Sequence, residues 1–285
     1  MTTAVSASDL RYLANKLRRM SLLMARRVGR TGSHLGSGLS SVEIFATLYG
    51  AVMRLNPANG HELTRDRLVL SRGHSVLSYY AALCEVGFLS QEDLLQFEVN
   101  GSFLHGHATR DLDRGVEFSG GSLGLGITFA VGVALAAKIR GQSQRVYVII
   151  GDGECDEGVV WEALMCASHY KLDNLTVIVD NNKLQYDGHP EEVMSLGDLA
   201  SKFSAFGLHV VEVDGHDVGA LLDAFEVGVN SRPKAIIAHT VKGKGVSFME
   251  GRKEWHHSIL TEAQYEQAIL EQPPLPDLAD QERLK

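Results

Sequence analysis

Apolar residues recur at helical spacing over residues 10–28, with Arg and Lys interleaved, and again over 41–53, so the chain opens with two expected amphipathic helices. The glycine-rich stretch 29–40 between them reads as a loop. Further on the pattern changes. Short apolar runs at 68–70, 146–150, 175–180, 210–213 and 235–238 read as buried strands. Helical patterns at 127–140, 160–170 and 218–227 separate several of them. This alternation predicts an α/β fold, a doubly wound, mainly parallel sheet with helices on both faces. Ligands of such sheets gather outside the carboxyl ends of the strands. Gly151 and Asn181 each follow directly on a strand pattern and are expected at that edge.

Composition narrows the function. The chain has 285 residues, enough for one sizeable α/β domain, and no apolar run approaches the length of a membrane span. A formal charge of -8 argues against a nucleic-acid partner. Residues 1–9 carry no secretory pattern, so the cytoplasm is the expected compartment. Cys84, Cys155 and Cys166 show no CxxC spacing, which argues against a disulfide framework or a cysteine zinc site. Pro273, Pro274 and Pro276 cluster with Asp280, Glu282 and Arg283. We therefore expect a folded unit over 1–270 and a loosely ordered tail over 271–285. No internal repeat is apparent.

The most informative stretch is Gly151-Asp152-Gly153, followed after 27 residues by Asn181-Asn182. Flanking glycines let a ligand approach the backbone, and Asp152 offers a hard carboxylate oxygen at a strand end. One strand-helix-strand unit later, Asn182 offers an amide oxygen. Together they can grip one hard divalent ion whose shell is completed by phosphate oxygens. Either fragment alone is an ordinary turn; their joint spacing is what signals a metal-diphosphate anchor.

This pairing resembles the thiamine-diphosphate signature of the transketolase and pyruvate-dehydrogenase families. The resemblance implies that Asp152, Asn182 and the Leu184 carbonyl hold Mg2+ or Ca2+, with Gly151, Gly153 and Glu154 beside the cofactor. Other segments look specifically like transketolase, from about residue 10 to about 257. Gly32-Ser33-His34-Leu35-Gly36 resembles a loop whose histidine reaches the substrate, although the usual His-Pro is His-Leu here. The stretch Asp66-Arg67-Leu68-Val69-Leu70-Ser71-Arg72-Gly73-His74 resembles the strand and turn presenting a second histidine. Gly106-His107 resembles the position of a third. Gly120-Gly121-Ser122-Leu123-Gly124-Leu125-Gly126 is similar to the loop lying against the cofactor, with Ser and Leu replacing the usual Pro and Gln. It implies contacts from Gly121 and Leu123.

Val241-Lys242-Gly243-Lys244-Gly245 and Glu254-Trp255-His256-His257 resemble the segment after the last strand, where a histidine approaches diphosphate or substrate. The glycine usual after that histidine is His257 here, so the role falls to His256 or His257. Taken as implied, His34, His74, His107 and His256 bind sugar oxygens and move protons, and His74 and His256 also meet the cofactor. Glu157 matches a residue of a carboxylate relay between two active sites, or is simply an acidic residue near a helix start.

Nothing here corresponds to the pyrimidine-binding and third domains of a complete transketolase. The resemblance therefore implies a split enzyme: this chain, a separate C-terminal subunit carrying the pyrimidine-binding domain, an α2β2 assembly, and sugar phosphate substrates. Two alternatives remain at this stage, the α subunit of a 2-oxoacid dehydrogenase and a non-catalytic scaffold subunit of the same fold.

Overall fold

The computed structural model describes residues 5–275. Helix α1 (Ala7–Val28) starts at a Ser6 capping box and ends in the basic turn Arg26–Arg27, both favourable to the helix dipole. Helices α2 (Leu35–Ser40) and α3 (Val42–Thr47) follow, the latter running into a π-turn, Leu48–Val52. Strand β1 (Arg67–Leu70) leads to α4 (Val76–Glu85) and the single turn α5 (Gln91–Leu94). Next come α6 (Leu125–Ile139), β2 (Val146–Gly151), α7 (Gly158–His169) and β3 (Leu175–Asn181). The chain continues through α8 (Pro190–Val193), α9 (Leu199–Ala205), β4 (His209–Asp214), α10 (Val218–Glu226), β5 (Lys234–His239) and α11 (Glu262–Leu270).

The five strands form one parallel sheet in the order β1-β2-β3-β5-β4. Strand alternation divides the core in two. Tyr147 and Ile149 of β2 face the layer built by α1, α3 and α4. Val146, Val148 and Ile150 face α6, α7 and α9. Burial on both faces is why β1, β2, β3 and β5 read as continuous apolar runs rather than alternating ones; β4, expected to be buried too, lies at the sheet edge and its residues are half-buried or exposed. The expected doubly wound parallel sheet is present, with all five strands at the expected places. Register puts Gly151 beside Asp180 and Asn181 beside His239, so the tips of β2, β3 and β5 share one edge.

The stretch 29–40 departs from its expected loop. Leu35–Ser40 is a helix, and all six of its residues are buried. Its glycines make room for neighbours: a Cβ at Gly36 would meet the Trp255 carbonyl at 2.8 Å, and one at Gly38 would meet Leu77 Cβ at 3.1 Å. Tertiary packing outweighs poor helix propensity there. Helix α4 carried no amphipathic signal because every residue from Val76 to Leu83 is buried.

At the C-terminal end, the Gln272 side chain donates to the carbonyls of Gly245 and Ala268 at 2.6 and 2.8 Å, and Asn15 donates to the Pro273 carbonyl at 2.8 Å. Contacts with the body thus extend three residues past the expected boundary at 270; residues 276–285 of the expected tail lie outside the described residues. Among the described residues, no helix is long and apolar enough to cross a membrane.

Phe203 of α9 is fully buried, its ring centroid 5.5 Å from that of Trp161. Phe203→Ala is expected to destabilise the chain by about 3–5 kcal/mol in urea unfolding. A loss under about 1 kcal/mol would show that this face of the sheet does not depend on α9.

Candidate active site

The sheet edge is organised by a buried carboxylate that sequence reading did not single out. Asp180, at the end of β3, is wholly inaccessible. Its Oδ2 accepts from Ser40 Oγ at 2.6 Å and Ser41 Oγ at 2.9 Å, and it pairs with the Arg72 guanidinium. Its Oδ1 accepts from Thr240 Oγ1. Those partners belong to the end of α2, the turn after β1 and the segment after β5. His34 stands just before α2, His74 two residues beyond Arg72, and Lys242, which lines the cavity described below, two residues beyond Thr240.

Two residues beyond Asp180, the anchor residues meet. Asp152 starts the 3-10 turn Gly153–Asp156 and is buried; its Oδ1 accepts from Gly153 N at 2.9 Å and its Oδ2 from Lys183 N at 2.6 Å. The second bond helps hold Lys183 at φ 58°, a left-handed conformation a non-glycine residue adopts only at a cost of about 1–2 kcal/mol. Asn182 Oδ1 accepts from Leu184 N at 3.1 Å. Burial raises the Asp152 carboxyl above its ordinary value, against the opposing charge of Arg72. Added positive charge at this point would favour the ionised form.

A cavity of about 330 Å³ opens over these tips. Asp152, Leu184, Lys242, His74, His256 and Leu123 are among its walls, together with Ser37, Gly151, Gly153 and Glu154. Lys242 Nζ donates to the Leu184 carbonyl at 2.7 Å and lies 3.0 Å from His256 Nδ1. Burial, aided by Arg72, pulls the Lys242 ammonium down to about 7, with Asp152 opposing. Arg72 is pulled down by burial to about 10, while Asp152 and Glu154 favour its charge.

Glu154 has its carboxylate committed within the protein. It accepts from Ser71 Oγ, from Gly124 N at 2.8 Å and from Gly151 N at 3.2 Å, tying the glycine loop to the tip of β2.

Four of the sequence-derived histidines converge. The His34 ring centroid is 4.7 Å from His74, 5.4 Å from His107 and 5.6 Å from His256. Burial is the main cause that pulls His34 down to about 3, His74 to about 2 and His256 to about 3, and it lowers His107 as well. These rings are therefore neutral at physiological pH in the chain by itself. His256 lines the cavity, whereas His257 is exposed and is not among its walls, its ring centroid 4.7 Å from that of His34. Gly73 is required where the rings meet, since a Cβ there would lie 2.4 Å from His107 Nδ1.

The remaining expected residues are not among the cavity walls: His34 and His107 meet it only through the rings of His74 and His256, Asn182 is buried, Gly121 packs near the His107 ring, and Glu157 is exposed at the start of α7. Arg72, Ser37, Asp180 and Lys242 were given no role from sequence. A carboxylate closing the apolar run 175–180 was the available signal for Asp180. Ser37 had none beyond lying in a glycine-rich stretch.

The residues fit a metal-bound diphosphate. Asp152, Asn182 and Leu184 supply a carboxylate, an amide and a carbonyl oxygen, the donor set of a hard divalent ion. Ser37 Oγ, Asn182 Nδ2 and His107 Nδ1 are buried without a hydrogen-bond partner among the described residues. Such atoms cost about 1–3 kcal/mol each unless a bound group satisfies them. Lys242 and Arg72 add positive charge beside the cavity.

Comparison with known proteins agrees with this chemistry. The family model for "Transketolase, thiamine diphosphate binding domain" matches residues 11–271. The chain belongs to that family. It is 39% identical over 269 residues to an apulose-4-phosphate transketolase subunit of Phocaeicola vulgatus, covering 94% of each chain. It is 40% identical over 266 residues to a 6-deoxy-6-sulfo-D-fructose transketolase subunit of a Clostridium species, covering 92% of this chain and 96% of that one. Human transketolase is 39% identical over 264 residues, but the match spans 42% of its length. The crystal structure of Campylobacter jejuni transketolase superposes with a TM-score of 0.84 at 32% identity, over 91% of this chain and 42% of that one. These relatives do not favour the 2-oxoacid dehydrogenase alternative.

Removing the Asp180 charge leaves Arg72 buried and unpaired. Asp180→Asn is expected to cost about 3–5 kcal/mol in denaturant unfolding, and the Arg72→Met/Asp180→Leu double variant to recover part of that loss. An Asp180→Asn variant as stable as the parent would contradict this role.

The histidines set a pH dependence. Their ordinary value is 6.5 and their folded values are depressed, so below about pH 6.5 the unfolded chain binds protons that the folded chain does not. Their stability contribution is full above that pH and is lost as pH falls toward 3. The urea midpoint should drop between about pH 7 and pH 5, with a shallower drop in His74→Asn. Equal slopes in parent and variant would rule this out.

Proposed function

We propose that this chain is the N-terminal, diphosphate-binding subunit of a split transketolase, acting in the cytoplasm as half of an α2β2 assembly with a C-terminal subunit that carries the pyrimidine-binding domain. The reaction is transfer of a two-carbon ketol unit from a ketose, in phosphorylated form, to an aldose acceptor. The observation that carries this reading is the convergence of Asp152, Leu184, Lys242, His74 and His256 on one cavity. The subunit-type relatives, matched over 94% and 96% of their lengths, support the split organisation.

Asp152, Asn182 and Leu184 hold Mg2+, and Gly151, Gly153 and Leu123 shape the space for the diphosphate, with Gly121 supporting the loop. Glu154 acts from behind by fixing that loop. Bound thiamine diphosphate supplies the electron sink that lets a carbon–carbon bond beside a carbonyl break and re-form. Lys242 and Arg72 offset phosphate charge. The neutral rings of His34, His74, His107 and His256 donate and accept hydrogen bonds to sugar oxygens and take up protons released there, and a bound anion beside His74 and His256 would raise the basicity of those two rings. Glu157, exposed beside the glycine loop, faces a neighbouring protomer in the assembly.

The chain alone, given thiamine diphosphate, Mg2+, a ketose phosphate and an aldose, is expected to show no ketol transfer, and to gain it on addition of the C-terminal subunit. Ordinary turnover by the chain alone would overturn the split organisation. His74→Ala should lower kcat by about 100-fold or more while weakening cofactor affinity much less. Equal losses in both would make His74 a structural residue. Asp152→Ala should weaken Mg2+-dependent cofactor binding by more than about 100-fold in calorimetry, since even outer-shell changes cost about 10–100-fold at metal sites.

A further inference from the structure

Three imidazoles meet at the cavity, where His74 and His256 line its wall and the His34 ring packs against both. His34, His74 and His256 offer ring nitrogens that all lie within 4.8 Å of one another. They come from the start of α2, the turn after β1 and the turn following Lys253–Trp255, and the Asp180 network holds the first two elements through Ser40 and Arg72. Neither His34 nor His74 has a side-chain hydrogen bond among the described residues, so their ring nitrogens are uncommitted. His256 Nδ1 faces Lys242 Nζ at 3.0 Å, which leaves Nε2 as its other ring nitrogen. Zinc–nitrogen bonds of about 2.0–2.1 Å place tetrahedral ligand nitrogens about 3.4 Å apart. Closing from 4.8 Å needs side-chain adjustment of about an ångström and no movement of the sheet.

We propose that His34, His74 and His256 form a three-imidazole site for Zn2+ and similar nitrogen-preferring divalent ions, with water in the fourth position. The site goes beyond ketol transfer and does not depend on it. Three imidazoles select zinc, cobalt, nickel or copper, whereas the oxygen donors of Asp152, Asn182 and Leu184 suit magnesium or calcium. The two sites therefore hold different ions side by side. An ion at the imidazole site occupies the ring nitrogens that sugar oxygens would otherwise meet, so it blocks substrate while leaving the diphosphate anchor intact. That inhibitory consequence, unlike the site itself, rests on the proposed function.

Cobalt(II) tests the site directly, using the full-length chain without an affinity tag and with millimolar Mg2+ present. We expect one Co2+ per chain, with the visible absorption of a nitrogen-ligated tetrahedral ion that Zn2+ displaces. His34→Ala and His34→Gln should each weaken binding by at least about tenfold, whereas His257→Ala should change it less than about twofold. Unfolding midpoints near that of the parent would show that the losses are local. Absence of the visible band, or parental Co2+ affinity in both His34 variants, would overturn the proposal. In the assembled enzyme, Zn2+ should raise the apparent KM for the ketose without releasing thiamine diphosphate. A cobalt site in a chain that never binds thiamine diphosphate would sink the functional reading and leave this one standing. Normal ketol transfer without a cobalt site would do the reverse.

Discussion

One buried carboxylate holds the site together. Asp180 ends the central strand and receives hydrogen bonds from Ser40, Ser41, Arg72 and Thr240. Each donor is continuous with a segment that delivers functional chemistry, and the strand itself runs on to Asn182. A buried carboxylate without such partners would be several kcal/mol too costly to keep ionised. The requirement to satisfy Asp180 therefore ties the end of α2, the turn after β1 and the first residue after β5 to the tip of β3. A similar device stands behind Lys242. His216 links the Glu43 carboxylate, at 2.9 Å, to the Val241 N–H, at 2.8 Å, and Arg18 pairs with the same carboxylate.

The edge above this network is poor in stabilising interactions, and the deficits have a common direction. Lys183 sits in a left-handed conformation, Asp152 is desolvated, and Ser37, Asn182 and His107 each bury an unpartnered polar atom. Burial also disfavours the charged forms of Lys242, His34, His74 and His256. A metal-bound polyanion with polar groups beside it would relieve each deficit: a cation would favour the Asp152 anion, and phosphates would favour cationic lysine and more basic imidazoles. The two-layered apolar core below carries the stability that this edge withholds.

Much of this was legible in the chain, for identifiable reasons. Buried parallel strands announce themselves as apolar runs, as β1, β2, β3 and β5 did, and the apolar residues 210, 211 and 213 also marked the edge strand β4, which is not buried. The anchor was legible because Gly-Asp-Gly and Asn-Asn are separated by one strand-helix-strand unit, a spacing that topology turns into adjacency. The histidine cluster came from resemblance rather than spacing, since positions 34, 74, 107 and 256 meet only through the fold. What stayed hidden was local structure decided by packing: α2, whose glycines are accommodations to Trp255 and Leu77, and α4, buried all round. Ser37 stayed hidden with the helix that carries it, and Arg72 and Lys242 because a side chain's direction just past a strand tip is not encoded in its neighbours' polarity.

The central claim is that one divalent ion is held by a carboxylate, an amide oxygen and a carbonyl from successive strand tips. Anomalous scattering from Mn2+ in crystals of the assembled enzyme with thiamine diphosphate locates that ion directly. The account predicts a single Mn2+ peak bonded, at about 2.0–2.3 Å, to Asp152, Asn182 Oδ1 and the Leu184 carbonyl, with diphosphate oxygens completing its shell. A cofactor bound in the cavity with its ion on other residues, or with none, would contradict it.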